Sequence, residues 1–174
     1  MKFKQVILVD EADREIGSIE KMEAHKLGLL HRAFSIFIIN NNGEMLLQRR
    51  ALSKYHSPGL WTNACCSHPQ PGDLTIDAAN TRLNEELGFQ CELVEIASFT
   101  YKTNFDNSLT EHEFDHVLLG LYSGEINPDK EEVEEYKWIS IEALESDLNI
   151  LPRNYTFWFH IAYPLVRDFL NRQP

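Results

Sequence analysis

Residues 33–49 read AFSIFIINNNGEMLLQR. A β-branched and aromatic run, Ala33–Ile39, meets a second apolar run, Glu44–Arg49, across Asn40–Gly43. An Asn-rich cluster closed by glycine between two such runs is a strong hairpin signal, because those residues tolerate the positive φ that tight hairpin turns require. Upstream, Gln5–Val9 and Glu15–Ile19 read as short strands joined around Asp10–Arg14, and Lys21–Lys26 is helix-like and ends at Gly28. Downstream, Ser53–Leu60 carries Pro58-Gly59 and must be loop. Thr75–Leu87 places Ile76, Ala79, Leu83 and Leu87 at 3–4 spacing, with Asp73 near its start and Gly88 just past its end, which predicts a helix. Cys91–Tyr101 and Phe114–Tyr122 read as strands, Ile141–Leu148 as a short helix, and Phe157–Leu170 as a longer one with an apolar face. The acidic stretch Asp129–Glu135 reads as a solvated loop or edge. Strands with helices interspersed, and no uniform βαβ rhythm, predict an α/β fold in which a mixed sheet packs between helices.

With 174 residues and 43% hydrophobic content, the chain supports a single domain, residues 1–174, with a real core. Its 16 Lys+Arg against 27 Asp+Glu give a formal net charge of −11. That field repels polyanions, so neither nucleic acid nor an anionic membrane is an expected partner. A small anionic ligand would need positive charge gathered locally. The N-terminal apolar run spans only Val6 to Val9, short of a signal peptide, and no segment approaches the ~20 apolar residues of a membrane span. Cys65, Cys66 and Cys91 make a poor disulfide framework and fit free thiols in a reducing compartment. A cytoplasmic protein is expected.

Seven histidines are present, and spacing gives one of them company. In Cys65-Cys66-Ser67-His68 an extended backbone sends Cys66 and His68 to one face, since strand side chains alternate with period two. In Glu111-His112-Glu113 the same rule puts both carboxylates together and turns His112 away. Adjacent carboxylates repel unless a cation or a shared proton relieves them. Imidazole beside carboxylate suits Mn, Fe or Zn, with Mg where oxygen ligands dominate. The plain alternative has Glu111 and Glu113 lining a solvated edge strand and His68 capping a turn. Arg49, Arg50 and Lys54 form a basic cluster that reads either as surface decoration or as an anion pocket. Cys66 reads as nucleophile, proton donor, ligand or buried filler.

Several of these segments together resemble the type 1 isopentenyl diphosphate isomerase family. They are Arg49-Arg50-Ala51-Leu52-Ser53-Lys54, Pro58-Gly59-Leu60-Trp61-Thr62-Asn63, Cys66-Ser67-His68-Pro69, Glu85-Glu86-Leu87-Gly88, Tyr101 and Glu111-His112-Glu113. The resemblance spans residues 5–172. It implies a Nudix-like fold, a mixed β-sheet sandwiched between α-helices, and interconversion of isopentenyl and dimethylallyl diphosphate through a tertiary carbocation. By motif, it implies that Cys66 and Glu113 are acid/base groups on opposite faces of the substrate. Tyr101 would assist at the Glu113 end, and Trp158 would set its π face against the developing cation. It further implies a divalent metal (Mn²⁺, Mg²⁺ or Zn²⁺) on His25, His31, His68, Glu111 and Glu113, and a Mg²⁺ bridging Glu86 and the diphosphate. Lys21, Arg50, Lys54 and Arg82 would complete a pocket for that small-molecule diphosphate. No flavin is implied, and the mechanism requires no oligomer.

The Nudix hydrolase signature, aligned on Gly88, meets Ser67, Asp73, Thr81 and Arg82 at its upstream fixed positions; of its fixed residues only Glu85, Glu86 and Gly88 fit. A hydrolase relies on that acid cluster for its metals, so the isomerase is expected over a Nudix-type pyrophosphohydrolase. A non-enzymatic acidic interaction module, suggested by Asp129–Glu135, is the third reading.

Overall fold

A computed structural model describes residues 4–105 and 108–172 of the chain. In chain order the elements are β1 (Gln5–Val9), β2 (Glu15–Glu20), α1 (Lys21–Leu27), β3 (His31–Ile39), β4 (Glu44–Arg50), β5 (Trp61–Thr62) and β6 (Cys65–Ser67). After them come α2 (Thr75–Leu87), β7 (Leu93–Asn104), β8 (Thr110–Leu121), β9 (Val133–Ser140), α3 (Ile141–Ile150), a 3₁₀ turn at Pro152–Asn154 and α4 (Phe157–Leu170).

All strands join one nine-stranded mixed sheet, and β3 is its centre. Along one edge β3 runs parallel to β8, from His31 opposite Glu113 to Ile39 opposite Leu121. Its other edge is shared in turn by β1 at His31, β6 at Phe34–Ile36 and β4 at Ile39. The expected hairpin forms, but its pairing is short. The Asn40–Gly43 turn does form, with Gly43 N–H bonding Asn40 O, but β3 and β4 share only the pair Ile39 and Met45. Beyond it β6 takes the hydrogen-bonding edge of β3, and β4 splays away to pair with β9 and β5.

The period of two in β3 divides the core between two layers. Phe34, Ile36 and Ile38 pack with Leu118 against Ala79, Leu83 and Leu87 of α2. Phe37 and Ile39 pack with Val117 and Leu119 against Phe159, Ala162, Tyr163 and Val166 of α4. Sheet between helices is the expected sandwich. On the α4 side the strip changes character along the strands. Its far end is apolar, whereas the preceding alternate positions are His31 and Ser35 on β3 and Glu111, Glu113 and Asp115 on β8, all buried. Burial of so many polar side chains on one face needs a compensating function or partners.

Helix α2 has the predicted bounds, but Asp73 is not its cap: Leu74 holds that place without a side-chain bond, and Asp73 accepts from Gln70 N–H instead. Gly88 ends α2 at φ +78°, and a Cβ there would come within 2.8 Å of Asn127 O. The close approach lets Asn127 and Asp129 N–H cap the carbonyls of Leu87 and Glu86. It therefore brings the acidic stretch 129–135 against the end of α2. That stretch divides into a turn and the start of β9, whose Val133 is fully buried. Strand β7 begins at Leu93, beyond Cys91, and β8 begins already at Thr110.

Helix α4 seats Trp158, so its packing matters to the site. Phe159 is fully buried and stacks on Phe37, Tyr155 and Tyr163. Phe159→Ala is expected to cost about 3–5 kcal/mol of stability. A urea midpoint unchanged from the parent would contradict this.

Candidate active site

Three imidazoles and a carboxylate meet at the polar end of the strip. Gly28 closes α1 in a left-handed conformation and turns the chain so that His31, opening β3, lies beside His25 of α1. Their ring centroids are 4.9 Å apart, and His68, just past β6, lies 5.0 Å from His31. Donor atoms of His25, His31, His68 and Glu113 all fall within 4.8 Å of one another. The Nδ1 atoms of His25 and His31 lie 2.7 and 2.8 Å from the carbonyls of Lys21 and Leu29. A carbonyl only accepts, so each Nδ1 carries the hydrogen and each Nε2 offers a lone pair to the group. Both Nε2 atoms are buried without a hydrogen-bond partner. Burial pushes His25 down, and burial with the Lys21 charge pushes His68 to about 3. Two imidazoles oriented by backbone carbonyls, a third beside them and one carboxylate fit a divalent metal. The reading of His68 as a turn cap is overturned: its Nε2 lies 2.8 Å from Glu113 Oε1.

Glu111 shares the strand face of Glu113 but stands outside that donor group. Its Oε1 lies 3.1 Å from His56 Nε2, and its Oε2 lies 2.9 Å from the Tyr101 hydroxyl oxygen. The same hydroxyl lies 2.8 Å from Glu113 Oε2. One phenol has one hydrogen, so two such contacts require a second proton on one of the carboxyls. It belongs on Glu111, which burial and the Glu113 charge push well up. Burial opposes ionisation of Glu113 too, but His68 and His31 hold it well below the ordinary range. The solvated-edge reading of these acids fails, since both are buried.

Across β3, Cys66 faces the same cavity of about 1300 Å³. Its thiol donates to Asn63 Oδ1 at 3.1 Å and accepts from Trp158 Nε1–H at 3.1 Å. Burial, then the Asp115 charge, pushes the thiol up to about 12, so it carries its proton. Cys65 points into the α2-side core instead, and all three cysteines are free. Trp158 is 3% exposed, and the Arg50 guanidinium lies 5.3 Å from its ring centroid. The indole thus touches Cys66 by its edge while Arg50 covers its face.

Lys21, Arg50, Lys54, Arg82 and Glu86 line the same cavity. Arg50 NH2 donates to His56 O, and burial first among causes brings Lys54 down to about 8. Arg82 pairs with Glu85, with Glu86 at 2.6 Å and with Glu132 at 3.3 Å; Lys54 also pairs with Glu132. Gln48 Nε2–H donates to Glu86 from the other side. Arg49 leaves the cluster, because its alternate position on β4 sends it to Gly59 O and Glu135.

Residues 29–159 match the NUDIX domain family. "Isopentenyl-diphosphate Delta-isomerase 2" of Aromatoleum aromaticum is 50% identical over 156 residues, covering 88% of this chain and 82% of that protein. "Isopentenyl-diphosphate Delta-isomerase" of Burkholderia multivorans is 49% identical over 157 residues, covering 90% of this chain and 89% of its own. The chain belongs to the Nudix-fold isopentenyl-diphosphate Delta-isomerase family. Solved structures agree on the fold: a Deinococcus radiodurans protein superposes with a TM-score of 0.69 at 20% identity, covering 84% of this chain and 89% of that one.

For a Delta-isomerase family member, the site also contains residues that sequence reading passed over. Asp115 continues the alternation of Glu111 and Glu113, and that signal was available. Asn63 stood inside the quoted motif without a role. His56 and Glu132 gave none, because one lies in a Pro-Gly loop and the other in an acidic run.

Proposed function

We propose that this chain interconverts isopentenyl diphosphate and dimethylallyl diphosphate. One observation carries the reading: two proton-bearing groups of different kind, the Cys66 thiol and the Tyr101–Glu113 pair, face one cavity from strands on either side of β3. Moving the double bond needs a proton added at the terminal alkene carbon and another removed from the carbon next to the diphosphate-bearing one. A tertiary cation lies between the two steps, and no redox change occurs. One of the two groups gives its proton to the alkene while the other accepts the proton lost on the opposite face. The indole edge and the Asn63 amide hold the sulfur, and Tyr101 holds Glu113. The aromatic wall of Trp158, His56 and Tyr55 keeps water from the cation.

His25, His31, His68 and Glu113 would hold a divalent cation, with Glu111 the neighbouring fifth donor, and Glu86 would face a Mg²⁺ on the diphosphate. Bound there, the first cation supplies a fixed positive charge that orients the Glu113 carboxylate. Lys21, Arg50, Lys54 and Arg82 would bind the diphosphate oxygens. Arg82 neutralises the Glu85 and Glu86 pair, which supports isomerisation over hydrolysis. No helix among the described residues is long and apolar enough to cross a membrane, and the free thiols accord with a cytoplasmic location.

Isopentenyl diphosphate with Mg²⁺ in D₂O should yield the dimethylallyl isomer carrying deuterium. Folded protein that produces no isomer defeats the proposal. Glu132 now occupies two of the cations meant for the diphosphate. Glu132→Gln should therefore tighten inorganic pyrophosphate binding, by up to about fivefold for the loss of its partly exposed ion pairs with Lys54 and Arg82. Calorimetric titration of both proteins decides it, and weaker binding would make Glu132 a ligand-side group instead.

A further inference from the structure

Asp115 is the third acid on the face of β8 that carries Glu111 and Glu113, and it lines the cavity with 1% of its surface exposed. Its Oδ2 accepts from the Ser35 hydroxyl at 2.7 Å, while its Oδ1 is buried without a partner among the described residues. The next alternate residues on both strands are apolar, Phe37 on β3 and Val117 on β8. A half-satisfied carboxyl beside such a core opposes stability, so its place there calls for another reason.

The neighbour of the pair supplies that reason. Ser35 Oγ lies 3.5 Å from Cys66 Sγ. Among the described residues the sulfur has two other polar contacts, and both are fixed. Trp158 Nε1–H can only donate, and the Asn63 amide is locked by bonds to Ile36 O, Cys65 O and Thr62 Oγ1. Only the Ser35 hydroxyl can rotate, and its bond to Asp115 decides where its hydrogen points. While the hydrogen points at Asp115, the serine oxygen presents lone pairs to the sulfur, so the thiol finds acceptors at both Asn63 and Ser35.

We infer that Ser35 and Asp115 are positioning residues for Cys66, the serine touching the sulfur and the aspartate holding the serine. The inference rests on the isomerase reading for its effect on rate, but its effect on the thiol can be measured alone. In the full chain, Ser35→Ala and Asp115→Leu should lower kcat roughly tenfold to a hundredfold, the scale of a small misplacement of a reacting group. KM should stay within about twofold, because neither residue touches the diphosphate cations. Asp115→Asn keeps an oxygen acceptor for Ser35 and should retain most of the activity. Thermal midpoints should not fall in Asp115→Leu, since it fills an apolar surrounding.

The readout independent of turnover is the rate of iodoacetamide alkylation at Cys66, followed by peptide mass spectrometry. It should change in Ser35→Ala and Asp115→Leu and stay at the parent value in Asp115→Asn. Unchanged alkylation in the first two variants overturns the inference even in a protein that isomerises nothing. A kcat loss accompanied by a matching fall in thermal midpoint also overturns it, by making the pair structural. Should the parent prove inactive, altered alkylation still upholds the positioning of the thiol, and only the catalytic reading is lost.

Discussion

Cys66→Ala is expected to reduce isomerisation by roughly a thousandfold, within the usual contribution of a placed proton-transfer group. The thiol carries its proton at neutral pH, since burial and the neighbouring Asp115 charge push it up to about 12. Of the groups nearest the sulfur, Asn63 and Trp158 hold it but do not exchange a proton readily, and Cys65 is turned into the opposite core. The variant should fold. Cys66 is only partly buried, and its loss leaves one Trp158 N–H without an acceptor, at a cost of about 1–3 kcal/mol. Deuterium incorporation in D₂O, alongside a thermal melt, separates chemistry from stability. Activity within tenfold of the parent would remove Cys66 from the reaction.

Glu113→Gln should be as damaging, again by roughly a thousandfold, and should also empty the proposed metal group. Glu113 is the carboxylate among the four converging donors, and it receives His68 at 2.8 Å and Tyr101 at 2.8 Å. An amide has nearly the same shape but no negative charge, and its nitrogen would face the donor hydrogens that the carboxylate now accepts. Dialysed parent protein should retain one divalent cation per chain, and Glu113→Gln should retain none, as read by elemental analysis. A variant that keeps both its metal and its turnover would show that Glu113 serves neither role. Glu111→Gln is the informative companion. It leaves the four converging donors intact and keeps one oxygen of the neighbouring fifth, so metal retention should weaken less there than in Glu113→Gln.

What could be read from sequence follows from how local each feature is. Helix α2 lies at its predicted bounds because four apolar residues at helical spacing and a glycine stop define it within one segment. The shared face of Glu111 and Glu113, and that of Cys66 and His68, which line one cavity, follow from period two alone. Arg49 parts from the basic cluster for the same reason: alternation on β4 sends it away from Arg50, to Gly59 O and Glu135. The hairpin at Asn40–Gly43 was legible, but not how soon its strands part. Its turn chemistry is local and correct, but β6, about 30 positions downstream of the residues it pairs with, competes for the same edge of β3.

The sequence by itself determined the alternation of strands and helices, the excess of acid, and the motifs that carry the family resemblance. Those are properties of neighbours along the chain. Convergence was decided only by the tertiary structure. It places His25 of a seven-residue helix beside His31, His68 and Glu113, brings Glu132 onto Lys54 and Arg82, and sets Asp115 behind Ser35 and Cys66. The reason is the parallel pairing of β3 with β8 and the insertion of β6 beside them. Each joins residues about 30 to 80 positions apart, whose distance no local period encodes.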